Sequence, residues 1–321
     1  MKRMLMIGLA SATVIALSAC SAGTEAAVPA GEGAALIPVT VGVIPIADTA
    51  PLYLGLEQGF FEEEGLELTI ETATGGAAIV PAVVSGDYQF GFSNLVSLMV
   101  ANDKGLPLQV VNAAVASTGD VDSDFGAVIV KGDSPVETLA DLDGKTVSGN
   151  SLNNIVDTVM RSSIDSLGGD SSTISFVEVP FPDASAAVEN GQVDAAFVVE
   201  PFVTAAIESG QRVISYGYAD FDENLDVAAY FSSAATVADD PELVTKFQAA
   251  MTKSLEYAQA NPDAVREIIA TYTATPAEVL AKIVLPKFPT EFNEEAVTAL
   301  GEAALKYGVI ETAPDMSSFL P

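Results

Sequence analysis

The chain has 321 residues, 13 Lys and Arg against 44 Asp and Glu, no His, and a formal net charge of -31. That charge disfavours nucleic acid as a partner and an electrostatic hold on anionic lipid, since both would repel it. With 49% hydrophobic residues the composition is that of a globular protein, long enough for two domains of ordinary size.

Lys2 and Arg3 precede an apolar run from Met4 to Leu17. A charged n-region followed by a short h-region describes a signal peptide over residues 1–19. The run falls short of the roughly 20 apolar residues that a spanning helix needs. It is followed by Leu17-Ser18-Ala19-Cys20, which holds the single cysteine of the chain. This stretch resembles the bacterial lipobox, and the resemblance implies cleavage before Cys20 and lipidation of its thiol. The alternative is an ordinary secreted protein with a chance cysteine at the end of the h-region. A lone cysteine makes no internal disulfide, and several acyl chains at about 0.8 kcal/mol per buried CH₂ make a stable anchor. Residues 20–36, rich in Ala, Gly, Ser, Thr and Glu, read as a lipidated flexible tether.

The first predicted strand covers Pro38 to Ile44, β-branched and ending at Pro45. A helix is predicted over Ala50 to Phe61, a strand over Leu66 to Thr72, a turn at Thr74-Gly75-Gly76, a helix over Ala77 to Ser85 and a strand over Phe90 to Phe92, with another helix after it. Strands alternating with helices indicate a parallel sheet with crossovers. The pattern restarts with strands at Gly126 to Val130, Lys145 to Ser148, Ile174 to Val179 and Ala195 to Val199. Helices are predicted between them at Thr138 to Leu142, Asn153 to Leu167 and Ala184 to Asn190. A strand-like run from Tyr230 to Val237 then leads into helices over Pro241 to Asn261, Pro262 to Tyr272, Pro276 to Leu285 and Asn293 to Tyr307. Three of these have Pro in the first turn and the last has Asn before Glu294-Glu295. The expected organisation is lobe 1 over residues 37–125, lobe 2 over 126–229, and a return to lobe 1 with C-terminal helices over 230–321.

Several motifs occur in a fixed order. They are Ala50-Pro51-Leu52-Tyr53-Leu54-Gly55 with Glu57-Gln58-Gly59-Phe60-Phe61, Gly86-Asp87-Tyr88-Gln89-Phe90-Gly91, Leu139-Ala140-Asp141-Leu142-Asp143-Gly144-Lys145, and Asn190-Gly191-Gln192-Val193-Asp194-Ala195 ending in Glu200-Pro201-Phe202. In these motifs the chain resembles the substrate-binding lipoproteins of ABC transporters that serve nitrate, sulfonate, taurine and thiamine-precursor import. The resemblance spans Pro38 to Tyr307. It implies an α/β fold of the periplasmic-binding-protein type (type II), with two lobes of mixed, mostly parallel sheets, flanking helices and a helical C-terminal section. It further implies a monomer on the extracytoplasmic face of the membrane, held by its lipid, that passes a small-molecule solute to an ABC permease and its ATPase.

The resemblance places the ligand among the loops that follow the strands, where open α/β sheets bind. Candidate ligand residues are Asp48, Tyr53, Thr74, Gly75, Gly76, Ser93 and Asn94 in lobe 1, and Asn150, Ser151, Asn153, Asp183 and Glu200 in lobe 2. Thr74-Gly75-Gly76 at a helix start can offer backbone N–H groups to an anion or carbonyl, or be a plain turn. Ser93 or Asn94 can equally cap the next helix. Glu200, after an apolar strand, must either reach solvent in the cleft or meet a partner, and the cleft is the favoured course.

No Lys or Arg lies between Pro45 and Ala101, in Gly149 to Asn154, or in Pro180 to Pro201. An oxyanion is commonly held by Arg or by a helix N-terminus, and only the second is on offer. Asp48, Asp183 and Glu200 suit a nitrogen-bearing ligand, with Tyr53, Phe92, Phe181 and Phe202 as aromatic faces. Within the family an aminopyrimidine or thiamine-precursor-like solute fits best; a sulfonate, nitrate or aromatic anion is the alternative, as is a surface sensor without transport. Relatives on the same fold make a pyrimidine from histidine. The absence of His removes the usual general base and metal ligand, so no catalysis, metal or cofactor is expected.

Overall fold

The structure is a computed structural model that describes residues 35–321. The signal segment, the lipidation expected at Cys20 and the tether as far as residue 34 lie outside the described residues.

The strands are β1 (Ile37–Val43), β2 (Leu66–Thr72), β3 (Phe90–Asn94), β4 (Leu108–Ala116), β5 (Gly126–Val130), β6 (Thr146–Gly149), β7 (Ser175–Glu178), β8 (Ala195–Val199), β9 (Arg212–Ser215) and β10 (Asp226–Ser233). They form two five-stranded sheets, in the orders β2-β1-β3-β10-β4 and β7-β6-β8-β5-β9. In the first sheet β1 runs parallel to β2 and β3, while β10 is antiparallel to β3 and β4. In the second, β6 runs parallel to β7 and β8, while β5 is antiparallel to β8 and β9. The antiparallel strand of each sheet is the one that has just crossed from the other. The sheets are therefore mixed, and strands buried on both faces, such as β5 and β8, are continuous apolar runs.

In the first lobe the helices are α1 (Ala50–Glu57), α2 (Phe60–Glu63), α3 (Gly76–Ser85) and α4 (Leu95–Asp103). The single helix expected over Ala50 to Phe61 is broken, because Gly59 takes φ 78, a left-handed conformation that ends α1 and turns Phe61 into the core. The second lobe carries α5 (Ile155–Ser166), α6 (Phe181–Glu189), α7 (Phe202–Glu208) and α8 (Gly217–Phe221). The strand expected to reach Val237 stops at Ser233, whose hydroxyl accepts from Thr236 N–H (3.0 Å) and caps α9 (Ala234–Asp239). Beyond it lie α10 (Pro241–Ala260), α11 (Pro262–Tyr272), α12 (Ala277–Leu280), α13 (Glu294–Lys306) and α14 (Met316–Phe319).

Phe247 of α10 stacks on Phe90 at 3.8 Å and lies against Phe61 and Tyr230, all buried. Rings of this size contribute about 1.5–3 kcal/mol each when fully buried. Phe92, expected to offer a face to ligand, is 2% exposed and packs edge-on to Tyr230 at 5.6 Å, so it belongs to this core.

Three segments join the lobes. Residues 117–125 lead from β4 to β5 and residues 216–225 return from β9 to β10; they are tied by Ser117 N–H donating to the Leu225 carbonyl at 2.9 Å. The first is pinned by Asp124, whose carboxylate accepts from the Ser117 hydroxyl (2.7 Å) and the Thr118 N–H (2.9 Å). The third replaces most of the helix expected over Pro276 to Leu285. Only the single turn α12 forms, after which the chain extends so that Lys287 and Ala116 exchange backbone bonds of 3.0 and 3.1 Å.

Candidate functional site between the two lobes

A cavity of about 350 Å³ opens where the ends of β1 and β2 face the starts of α6 and α7, with Ile44, Ile46 and Thr74 on one side and Phe181, Asp183 and Phe202 on the other. The rings of Phe181 and Phe202 lie 6.3 Å apart at 24°. None of the residues lining the cavity is basic.

After β1 the Thr49 hydroxyl donates to the carbonyls of Ile44 (2.9 Å) and Ile46 (3.1 Å), winding Ala47–Thr49 into one 3-10 turn. That turn leaves Asp48 only 3% exposed, with Oδ2 lacking any hydrogen-bond partner among the described residues. Burial, with the charge of Asp124 adding to it, pushes the Asp48 carboxyl up to about 7. Nearby, the hydroxyl of Tyr230 is also buried and unpartnered; burial and then the charges of Tyr53 and Asp48 hold its pKa well above the usual value. Tyr53, half-buried on α1, stacks on Tyr272 of α11 at 3.9 Å and 10°, and the Tyr272 hydroxyl donates to the Ile46 carbonyl at 2.9 Å. Asp48 therefore sits in a setting of tyrosines.

Ser93, at the end of β3, and Ser148, in β6, also have buried hydroxyls without partners. Each such orphan costs about 1–3 kcal/mol. Ser93 lies under the start of α3, where a Cβ on Gly76 would come within 2.0 Å of its hydroxyl. Gly75 instead faces the other lobe: a Cβ there would lie 2.5 Å from Ser151 Oγ and 3.3 Å from Asn150 Nδ2. Five of the expected residues, Gly75, Gly76, Ser93, Asn150 and Ser151, are thus brought together.

Others are not. Asn94 is occupied locally: its side chain accepts from the Ser97 N–H (2.9 Å), donates to the Ser97 hydroxyl (3.0 Å) and so caps α4. Asn153 is exposed at φ 52, with its N–H turned to the carboxylate of Asp157, and it is Asn154 that caps α5. Thr74 and Asp183 are exposed and both line the cavity. Glu200 takes the second of its two expected courses and meets partners. It is 0% exposed, and its carboxylate accepts from the Thr204 hydroxyl (2.7 Å), the Thr204 N–H (3.1 Å) and the Val284 N–H (3.1 Å). Burial pushes its pKa up, and these three donors oppose the shift. The backbone of Glu200 joins the lobes as well, accepting from the Ala47 N–H at 3.0 Å.

The family model described as NMT1/THI5 like matches residues 46–265, from the start of the Asp48 turn to the first turn of α11. The chain belongs to the NMT1/THI5-like family. It is 25% identical over 267 residues to a formylaminopyrimidine-binding protein of Halalkalibacterium halodurans, covering 80% of this chain and 76% of the relative. Among solved structures it resembles the periplasmic aliphatic sulphonate binding protein SsuA of Escherichia coli, with TM-score 0.70, 17% identity, 88% of this chain and 97% of the other. It also resembles the periplasmic nitrate-binding protein NrtA of Synechocystis PCC 6803, with TM-score 0.72, 13% identity, 87% of this chain and 84% of the other. These likenesses show the periplasmic-binding-protein fold.

Around the Asp48 turn stand two residues that sequence reasoning missed. Tyr230 lies on the inserted strand β10 and Tyr272 on α11, and both reach the Asp48 turn from far along the chain. Their only sequence signal was that they are tyrosines, residues that bury a ring and keep a polar tip needing a partner. Among the described residues no cluster of three or more His, Cys, Asp or Glu is arranged to hold a metal ion, and no helix is long and apolar enough to cross a membrane.

Proposed function

We propose that the chain is the extracytoplasmic solute receptor of an ABC importer, and that its solute is aminopyrimidine-like. The observation that carries the solute class is Asp48, a buried carboxyl with one oxygen unpartnered among the described residues, whose charge reaches the unpartnered hydroxyl of Tyr230 and whose turn follows Ile46, a residue of the cavity whose lining has no basic residue. A ring N–H or exocyclic amino group supplies the donor that Asp48 lacks, and bonds to a charged group contribute about 1.5–3 kcal/mol each. Tyr53 offers a flat half-buried ring, and Phe181 and Phe202 line the cavity. The relative that binds formylaminopyrimidine supports the same class. Cys20 carries the lipid that holds the receptor at the membrane, where a permease and its ATPase take the solute from a monomer. The relative that the chain matches is a binding protein, which supports a binding role.

One observation favours a second reading. The start of α3, with Gly76 over the unpartnered Ser93 hydroxyl, suits an oxyanion such as a sulfonate or nitrate. Thermal denaturation with formylaminopyrimidine, alkanesulfonates and nitrate separates the two. A solute at a hundredfold excess over Kd raises stability by about 2.7 kcal/mol. Formylaminopyrimidine is expected to give that shift and the anions none; the reverse pattern overturns the aminopyrimidine reading. Cys20→Ser is expected to move the protein from the membrane to the soluble fraction.

A further inference from the structure

Gly75 ends the loop after β2, the edge strand of the first sheet opposite the edge at which the crossovers enter. Its backbone is extended, φ -165 and ψ 157, a conformation open to any residue, so no left-handed turn demands glycine here. What a side chain would meet is the second lobe: Ser151 Oγ at 2.5 Å, Asn150 Nδ2 at 3.3 Å and the Asn150 carbonyl at 3.6 Å. Gly75, Asn150 and Ser151 are all buried, although each lies in a loop after a strand, where solvent is expected. They are buried by one another across the cleft. Asn150 is held in place for this contact, because its Oδ1 accepts from the Nδ2 of Asn154, the cap of α5, at 3.2 Å.

We infer that Gly75 is a closure determinant: the lobes shut on its bare backbone, and its lack of a side chain, more than any bond it gives to solute, sets how tightly the receptor holds its ligand. This rests on the receptor reading above, in which solute is held between lobes that move about the three joining segments. The opposite contact, Ala47 N–H to the Glu200 carbonyl, lies where the lobes are already tied through Glu200 and Val284. Among the described residues the Gly75 contact has no such tether. A side chain at residue 75 therefore acts as a prop, leaving each lobe folded and the cleft ajar. The closest obstruction is the end of one short side chain, so trimming Ser151 removes the 2.5 Å overlap and leaves the milder approach to Asn150 Nδ2 at 3.3 Å.

Two measurements on the full chain test this. In a Cys20→Ser background, Gly75→Cys combined with Ser151→Cys is expected to form a disulfide under diamide, since the two positions are within bonding reach. The oxidised form is expected neither to take up nor to release formylaminopyrimidine until reduced, while either single substitution gives no intramolecular cross-link. Separately, Gly75→Ala is expected to weaken formylaminopyrimidine binding by about tenfold with an unchanged melting curve in the absence of solute, and adding Ser151→Gly is expected to restore most of it. Absence of the cross-link overturns the inference. So does a Gly75→Ala variant that binds as the parent does, or one that Ser151→Gly fails to rescue. If the parent itself does not bind formylaminopyrimidine, the solute assignment falls, and the cross-link alone still decides whether the lobes close on Gly75.

Discussion

Asp48 and Glu200 are two buried carboxyls, each standing after an apolar parallel strand, one in each lobe, and joined through the Ala47 N–H and the Glu200 carbonyl. Burial pushes both up in pKa. They differ in partners. Glu200 receives three donors, from Thr204 and Val284, and ties the second lobe to the extended segment after α12. Asp48 keeps an oxygen with none. The lesson is that depth alone does not separate a structural carboxylate from one kept for a ligand; the count of unmet bonds does.

The comparison can be broken most readily at Glu200. Glu200→Leu strands a hydroxyl and two N–H groups without an acceptor, and a loss of about 3 kcal/mol in urea denaturation is expected. A loss below about 1 kcal/mol would mean that those donors find water or other partners, and that Glu200 pins nothing.

Asp48 should behave in the opposite sense. Its carboxyl lies at about 7 in the folded chain against an ordinary 3.8, so the folded state binds the proton more tightly than the unfolded one. Stability from this group is then greatest below about pH 4, falls as pH rises towards 7 and is flat above. Asp157 and Asp226, each raised to about 6 mainly by burial, add to the fall between about 4 and 6. Asp48→Asn removes this group's share of the fall, from about pH 4 to about pH 7, and is expected to stabilise the solute-free protein at pH 8 by about 2 kcal/mol, while weakening aminopyrimidine binding about tenfold. A denaturation series at pH 5 and pH 8 checks the sign; a variant with the parent's slope would remove Asp48 from the account.

The smallest effect sharpens the same contrast inside one strand end. Asn94→Ala loses a cap and is expected to cost about 1 kcal/mol with unchanged solute affinity, whereas Ser93→Ala removes an unpartnered hydroxyl and should weaken binding with little loss of stability. Paired melting and titration experiments distinguish them.

Much of the frame was legible because the local signals were strong. β2 and β8 coincide with their apolar or β-branched runs, and α10 and α11 begin at Pro241 and Pro262, where a missing N–H costs nothing. What escaped was set by distant parts of the chain. β4 was not recognised although it is nearly all buried, and the reversed direction of β5 and β10 has no mark in their composition. The extended segment after α12 reads as helix from its own residues and is pulled straight by Ala116 and Glu200. In the site, the position of Asp48 could be read from the end of β1, but its isolation depends on Tyr230 and Tyr272, and the burial of Gly75 depends on Ser151 in the other lobe.

The inserted strands have a consequence for biosynthesis. The second sheet is drawn from one uninterrupted stretch, residues 126–215, whereas in the first sheet β4 pairs with β10 alone. As the chain emerges from its N-terminus, the second lobe is complete while β4, nine residues with hardly an exposed side chain, still lacks its neighbour. The lobe begun first is finished last, and until Asp226–Ser233 arrives it presents an open, apolar edge of the kind that recruits other chains.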